Sequence, residues 1–451
     1  MGRLFGTDGV RGIANTELTC ERAMEIGRAA ATVLADGCRR RPTFVIGCDT
    51  RASSDMLCAA LCAGLCSVGA DVIQLGVVPT PAVAHLVGKY KADAGVMVSA
   101  SHNPAEFNGI KIFSGNGLKL PDMLEERIEE IVLDKIRPMA KPIGGEVGKL
   151  SLATEAVADY IRHIKSTAHC CLDGLHIAID CANGSASATA PTLFKELGAD
   201  VHVLNSAPDG VNINRDCGST HMEQLSEYVV KHKLDCGIAF DGDADRCLCV
   251  DENGALIDGD MIMAICALDL NMRGKLNRST VVGTIMTNFG FGKFCEANDL
   301  RFVATKVGDR YVLEEMLLED YSFGGEQSGH IIFRDFATTG DGQLTGVQLL
   351  IMMKTQGKSL SELASVMTRY PQTMVNLKIS AEGKIAFFSD PEVNRAMNAA
   401  KEELGKNGRI VVRPSGTEPL IRVMVEGMDN EQITRVADQV ASVIKERLGD
   451  L

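Results

Sequence analysis

Three stretches of the chain repeat one pattern: a β-rich apolar run, a polar or glycine-rich turn, then a helical segment. They are TFVIGCDTRASSDML from Thr43, LHIAIDCANGSAS from Leu175 and STVVGTIMTNFGFGKF from Ser279. The first two continue into near-identical elements, GADVIQLGVVPTP from Gly69 and GADVHVLNSAPDG from Gly198. Each reads as a helix exit at Gly, a strand, then a Pro turn. A second correspondence runs a short apolar strand straight into a polar loop: DAGVMVSASHNPAEFNG from Asp93, DCGIAFDGDADRCLCVDENG from Asp235 and YSFGGEQSGH from Tyr321. Strands alternating with helical segments predict α/β units, whose ligand sites lie beyond the carboxyl ends of the strands. The C-terminal stretch differs. RIVVRPSGTEPLIRVMVEG predicts two alternating strands around a polar loop, followed by an amphipathic helix over Asn430 to Leu448.

The linker-like KPIGGEVGKLS, the Asp251–Gly259 region and Arg369–Gln372 divide the chain into four domains. We expect α/β domains over 1–150, 151–252 and 253–369, and an α+β domain over 370–451.

Composition narrows the function class. The 451 residues carry 46 Lys and Arg against 59 Asp and Glu, a net charge of −13, which argues against a nucleic-acid partner. Fifteen cysteines is an odd number, none has C-x-x-C spacing, and the chain is too long for a disulfide scaffold, so they are expected to be reduced. Cys58, Cys62 and Cys66 would share a helix face, but no His or fourth Cys completes a zinc site, and they read as small buried apolar residues. MGRLFGTDGVRG lacks the apolar core of a signal peptide, and the longest charge-free stretches are short for a bilayer. A cytoplasmic protein with no membrane partner is expected. Its acidity poses a problem for an anionic substrate, which would need cationic groups concentrated locally.

Four loops carry chemistry. In FDGDADR, Asp241, Asp243 and Asp245 would aim side chains two apart at one point on an extended loop, where a hard cation, Mg²⁺ or Ca²⁺, relieves their repulsion. An EF-hand fails because Arg246 stands where that loop needs Gly and the flanks read as strands; a solvated acidic turn is the plain alternative. In VMVSASHNPAEF, Pro104 stops regular structure and leaves Ser101 presented at a strand end. No G-x-S-x-G elbow surrounds it, against a Ser-His-Asp hydrolase. In GEQSGH, Gly325 and Gly329 flank Glu326, Gln327 and Ser328, a donor and acceptor set suited to sugar hydroxyls, and His330 is a proton-transfer candidate. In RPSGTEP, Arg413, Ser415, Thr417 and the amides around Gly416 form a donor-rich concavity for a phosphate dianion, without Walker A spacing.

The four motifs in this order, SASHNP, DGDADR, GEQSGH and RPSGTEP, resemble the α-D-phosphohexomutase family along essentially the whole chain. The resemblance implies three similar α/β domains and a C-terminal α+β (TBP-like) domain around a central cleft. It also implies that Ser101 is a phosphoserine and that Mg²⁺ is held by Asp241, Asp243, Asp245 and a phosphoryl oxygen on Ser101. Glu326 and Ser328 would hold sugar hydroxyls, and Arg413, Ser415, Gly416 and Thr417 the non-transferred phosphate. Arg246 would orient the transferring group, and Arg11, Lys111 and His330 would handle protons or stabilise charge. FGTDGVRG from Phe5, Gln327 and TTGDGQLT from Thr338 resemble the members acting on hexosamine phosphates. They imply interconversion of glucosamine 6-phosphate and glucosamine 1-phosphate through glucosamine 1,6-bisphosphate. A homodimer is compatible with this reading. Glucose or mannose phosphates as substrates, and a Mg²⁺-dependent sugar phosphatase, are the competing expectations.

Overall fold

The apolar runs form strands because β-branched residues bounded by turn formers suit a backbone buried on both faces. In the computed structural model, which describes residues 3–6, 8–35, 40–415 and 420–449, the chain divides into two units. The first comprises residues 1–284 and 303–366; the second comprises 285–302 and 367–451.

Within the first unit, a six-stranded mixed sheet has the order β1-β5-β4-β2-β3-β6. These strands are β1 (Val10–Ile13), β2 (Thr43–Cys48), β3 (Asp71–Val77), β4 (Ala94–Val98), β5 (Phe107–Ser114) and β6 (Leu150–Leu152). A five-stranded sheet follows, β11-β10-β9-β7-β8, built from β7 (His176–Asp180), β8 (Asp200–Leu204), β9 (Cys236–Phe240), β10 (Cys247–Asp251) and β11 (Leu256–Ile257). The third sheet pairs β12 (Thr280–Thr284) in parallel with β14 (Phe323–Gly325), and β14 antiparallel with β15 (Ile331–Phe333); β13 spans Arg301–Thr305.

The repeat seen in the sequence has a specific topology. In each sheet a buried strand runs through a polar loop into an antiparallel partner, with Val98 opposite Ile110, Phe240 opposite Cys247 and Gly325 opposite Ile331. The serine, metal and sugar loops are therefore the tips of three corresponding wide hairpins, at the carboxyl ends of β4, β9 and β14. The two Gly-Ala-Asp copies both form strands, β3 and β8. Only the first Pro turn enters a helix directly, Thr80–Lys89, because the second continues into the long loop preceding the helix Glu223–His232.

Cys58 and Cys62 lie buried on the helix Ala52–Ser67, Cys66 lies there partly buried, and Cys247 and Cys249 are buried on β10. Every cysteine among the described residues is a free thiol. Burial pushes the Cys62 thiol up to about 11, the behaviour of an inert core residue.

The second unit contains a three-stranded antiparallel sheet, β16-β18-β17, from β16 (Gln372–Lys378), β17 (Gly408–Pro414) and β18 (Leu420–Gly427). The helix Asn430–Leu448 buries Ile433, Val436, Ala437, Val440 and Ile444, the apolar positions of its 3.6-residue pattern. Asp429 caps it, accepting from the amides of Glu431 and Gln432. No helix among the described residues is long and apolar enough to cross a membrane.

Candidate active site

Hairpin topology brings the serine and metal loops together. Ser101, with a left-handed φ of 52°, is buried and donates its Oγ hydrogen to Asp241 Oδ2 at 2.6 Å. The approach is close enough that a Cβ on Gly242 would meet the Ser101 carbonyl oxygen at 2.6 Å. The metal loop is not extended, as the sequence reading supposed. The Ala244 amide closes a turn onto the Asp241 carbonyl at 3.0 Å, and Ala244 itself has φ 56°. Tight curvature, rather than strand alternation, makes the three carboxylates converge.

Asp241, Asp243 and Asp245 are all buried, and one oxygen of each lies within 4.8 Å of the others. Asp243 Oδ2 accepts from Thr80 Oγ1 at 2.6 Å and Lys111 Nζ at 2.8 Å. Asp243 Oδ1 and Asp245 Oδ1 are buried with no hydrogen-bond partner among the described residues. Two orphaned hard oxygens beside a third carboxylate fit a hard divalent cation, so the triad can hold a metal ion. Burial, then the charges of Asp243 and Asp245, push the Asp241 carboxyl well above the usual range. Asp245 is also penalised by burial, but Lys111, His330 and Arg246 outweigh it and hold its carboxyl below the usual range.

The candidate cations gather around the same point. Lys111 is buried on β5, between Asp243, Asp245 at 3.4 Å and Asp8 at 3.1 Å. Burial pulls its pKa down, and Asp243, Asp8 and Asp245 more than offset this, leaving it well above the lysine norm. The Arg246 amide donates to Asp241 Oδ1 at 3.3 Å, and its Nε lies 3.9 Å from Asp245 Oδ1. Arg11 Nη1 donates to Asn103 Oδ1 at 3.1 Å, on the serine loop, and Nη2 donates to Asp8.

The sugar loop packs on the metal hairpin. Gly329, at φ 88°, accepts the Cys247 amide on its carbonyl, and a Cβ there would meet the Cys247 oxygen at 2.2 Å. His330 Nδ1 faces Asp245 at 3.6 Å and Nε2 faces Asp309 at 3.4 Å. Burial opposes protonation of this ring, while Asp245 and Asp309 raise its pKa above the ordinary value. The Gly340 amide also approaches Nε2, at 3.0 Å. Glu326 accepts the Gly308 amide at 3.0 Å, and burial raises its carboxyl pKa. Ser328 Oγ is buried without a hydrogen-bond partner among the described residues.

The sequence reading missed Asp8, Thr80, Lys119 and Asp309. Lys119 Nζ lies 2.5 Å from both Asp8 and Asp309, completing a chain of charges from Arg11 to His330. Apart from Asp8, which stands three residues before Arg11, these residues are far apart in sequence, and the packing of turns and helix starts brings them together.

In the second unit, Arg413 of β17 stands opposite Arg422 of β18. Burial and the Arg422 charge lower the Arg413 pKa. The Ser415 carbonyl accepts from Lys384 Nζ at 2.7 Å. Gly416 and Thr417 lie outside the described residues.

A buried serine hydroxyl held against three converging carboxylates and ringed by cations suits phosphoryl transfer, and the comparisons agree. Profiles described as phosphoglucomutase/phosphomannomutase match in order: α/β/α domain I over residues 2–137, domain II over 158–254, domain III over 258–370 and the C-terminal domain over 374–443. The chain belongs to this family of phosphohexomutases. It is 54% identical over 449 residues to the phosphoglucosamine mutase of Acetivibrio thermocellus, covering 100% of both chains. It is 53% identical to that of Clostridium novyi, covering 99% of both. A family protein from Burkholderia thailandensis shares the fold with a TM-score of 0.83 at 23% identity, covering 99% of this chain and 98% of that one. An Aspergillus fumigatus N-acetylphosphoglucosamine mutase, solved with GlcNAc-6P and magnesium, gives 0.67 at 18% identity, over 99% and 96%.

Proposed function

We propose that the chain is a phosphoglucosamine mutase, interconverting glucosamine 6-phosphate and glucosamine 1-phosphate in the cytoplasm through a phosphorylated Ser101 and glucosamine 1,6-bisphosphate. The observation that carries the chemistry is Ser101 Oγ at 2.6 Å from the first of three converging buried carboxylates. The choice of sugar rests on the full-length relatives bearing that name.

Asp241, Asp243 and Asp245, with a phosphoryl oxygen on Ser101, would hold Mg²⁺. When bound, the ion supplies concentrated positive charge to the transferring phosphoryl group. Phosphoryl transfer depends mainly on in-line positioning and on charge spread over the equatorial oxygens. The Ser101 loop fixes the carrier oxygen, while Lys111, Arg246 and Arg11 line the same point with cations. Lys111 keeps its proton among three carboxylates, so it acts as a fixed charge rather than a base. His330, held between Asp245 and Asp309, can take up or return a proton.

Ser328 Oγ, buried with no hydrogen-bond partner among the described residues, is a ready partner for a sugar hydroxyl, alongside Glu326. Arg413, Ser415, Gly416 and Thr417 would take the phosphate that is not transferred; the opposed Arg413 and Arg422 supply the positive charge such an anion needs. Positive charge is thus local within an acidic protein.

The test assays glucosamine 6-phosphate beside glucose 6-phosphate, with wild type and Ser101→Ala. The proposal requires higher kcat/KM on the amino sugar and loss of isomerisation in Ser101→Ala. Higher kcat/KM on glucose 6-phosphate overturns the substrate, and free phosphate released in step with substrate loss points to a phosphatase.

A further inference from the structure

Ser101 sits in a loop whose main chain is gripped from beneath. Arg51, a buried residue, begins the helix Ala52–Ser67 yet does not cap it; its side chain turns into the serine loop. Arg51 Nη2 donates to the carbonyls of Ser101 at 2.9 Å and Asn103 at 2.8 Å, and Nη1 to those of Phe107 at 3.0 Å and Pro104. Nε is held by Asp49 Oδ2 at 2.8 Å. Asp49 also accepts from Ser99 Oγ at 2.6 Å and Ser54 Oγ at 2.9 Å, and Ser99 Oγ in turn accepts the Ser101 amide at 2.9 Å. A second donor arrives from the five-stranded half: Asn214 Nδ2 reaches the same two carbonyls, Ser101 at 2.9 Å and Asn103 at 3.1 Å.

We propose that Arg51 and Asn214 are positioning residues for the reaction: they form one clamp that holds the Ser101 backbone left-handed and its Oγ on the metal loop. The inference rests on Ser101 being the phosphoryl carrier. Serine at φ 52° lacks the freedom of glycine, so the surrounding bonds must impose that conformation. The clamp does so through the carbonyl, because four donated bonds converge on the oxygens of residues 101 and 103. Two of those bonds come from a guanidinium fork fixed by Asp49, which a lysine cannot reproduce. Neither side chain bonds to the metal-loop carboxylates, so the clamp acts on reaction geometry through Ser101 alone. Because Asn214 lies on the loop between β8 and the helix Glu223–His232, it also ties the serine loop to the sheet that presents the three aspartates.

The experiment compares wild type, Arg51→Lys, Asn214→Asp and Ser101→Ala for isomerisation kinetics, phosphate on Ser101 by intact mass, and folded fraction by circular dichroism. Displacement of a reacting group by about 1 Å costs on the order of 10²-fold, so both clamp variants should lose about that much kcat with KM for the sugar phosphate within about threefold. They should remain folded, and in Asn214→Asp a carboxylate faces two carbonyl oxygens in place of an amide. If both variants keep kcat within about threefold of wild type while Ser101→Ala is inactive, the clamp is refuted and the carrier assignment stands. A kcat that falls only in proportion to the folded fraction refutes it equally, since that is a merely structural role. Activity retained in Ser101→Ala overturns the carrier assignment and the clamp with it.

Discussion

Lys111 is the buried cation on which the resting charge balance of the metal loop depends, and Lys111→Met measures that dependence. Methionine roughly keeps the volume but removes the ammonium 2.8 Å from Asp243, 3.4 Å from Asp245 and 3.1 Å from Asp8. At an effective dielectric constant of about 20, the shortest pair alone is worth about 6 kcal/mol of Coulomb attraction. Desolvation of the ammonium offsets part of that, and removing one partner of a buried pair leaves a net loss of about 3–5 kcal/mol. The sign with pH follows from the groups involved. The Lys111 pKa is raised on folding, so its contribution is fully present below the ordinary lysine range. The pKa values of Asp8 and Asp245 are lowered, so their contribution is present above the ordinary carboxylate range and is lost as pH falls from that range toward their depressed folded-state values. Destabilisation by Lys111→Met is therefore at its full value near neutral pH and shrinks only below about pH 4. Thermal unfolding monitored by calorimetry in EDTA, at pH 7 and at about pH 3, should show it. Adding Mg²⁺ should then recover more stability in the variant than in wild type, because a divalent ion replaces the missing charge. An unfolding midpoint at pH 7 in EDTA equal to wild type would refute the idea that buried carboxylate repulsion governs this loop.

Other substitutions separate binding from stability. Ser328→Ala removes a hydroxyl with no hydrogen-bond partner among the described residues, so stability should stay within about 0.5 kcal/mol while KM for the sugar phosphate rises about tenfold. Equal losses of stability and affinity would show the hydroxyl to be structural. Thr80→Val deletes the 2.6 Å bond to Asp243 Oδ2 and should cost about 1–3 kcal/mol in denaturant unfolding without metal. Asp341 is buried under the Tyr160 hydroxyl, and burial raises its carboxyl to about 6, so wild-type stability should decline between about pH 4 and 6 by up to about 3 kcal/mol. Asp341→Asn keeps an N-cap acceptor for the helix Gly342–Gln356 and should flatten that decline; an unchanged pH profile would show that Asp341 is ionised in both states.

The hairpins were legible because their flanking strands are short continuous apolar runs and their tips are dense in Asp, Ser, Asn and Gly. The D-x-D-x-D pattern announces a cation, whatever the backbone does. The backbone was misread: alternation along an extended loop was expected, whereas the turn at Ala244 does the work, and an alanine gives no sign of left-handed geometry. The strand and helix of the C-terminal unit follow directly from their period-2 and period-3.6 patterns. Long-range partners left no trace. Thr80, Lys119 and Asp309 are single polar residues outside the four loops, Asp8 lies within FGTDGVRG with nothing to mark it as a charge partner, and only tertiary packing brings them to the metal loop and His330. Arg51 reads as an ordinary helix-start residue, although its fork ends on carbonyls 50 to 56 positions later.

The central claim is that phosphate moves from Ser101 to the amino sugar and back. Protein carrying labelled phosphate on Ser101 should be mixed with unlabelled glucosamine 6-phosphate in a single turnover and quenched. Label should leave the protein and appear in glucosamine 1,6-bisphosphate and the monophosphates, with none as free phosphate. Label that stays on the protein while isomerisation proceeds, or that leaves only as inorganic phosphate, would contradict the account.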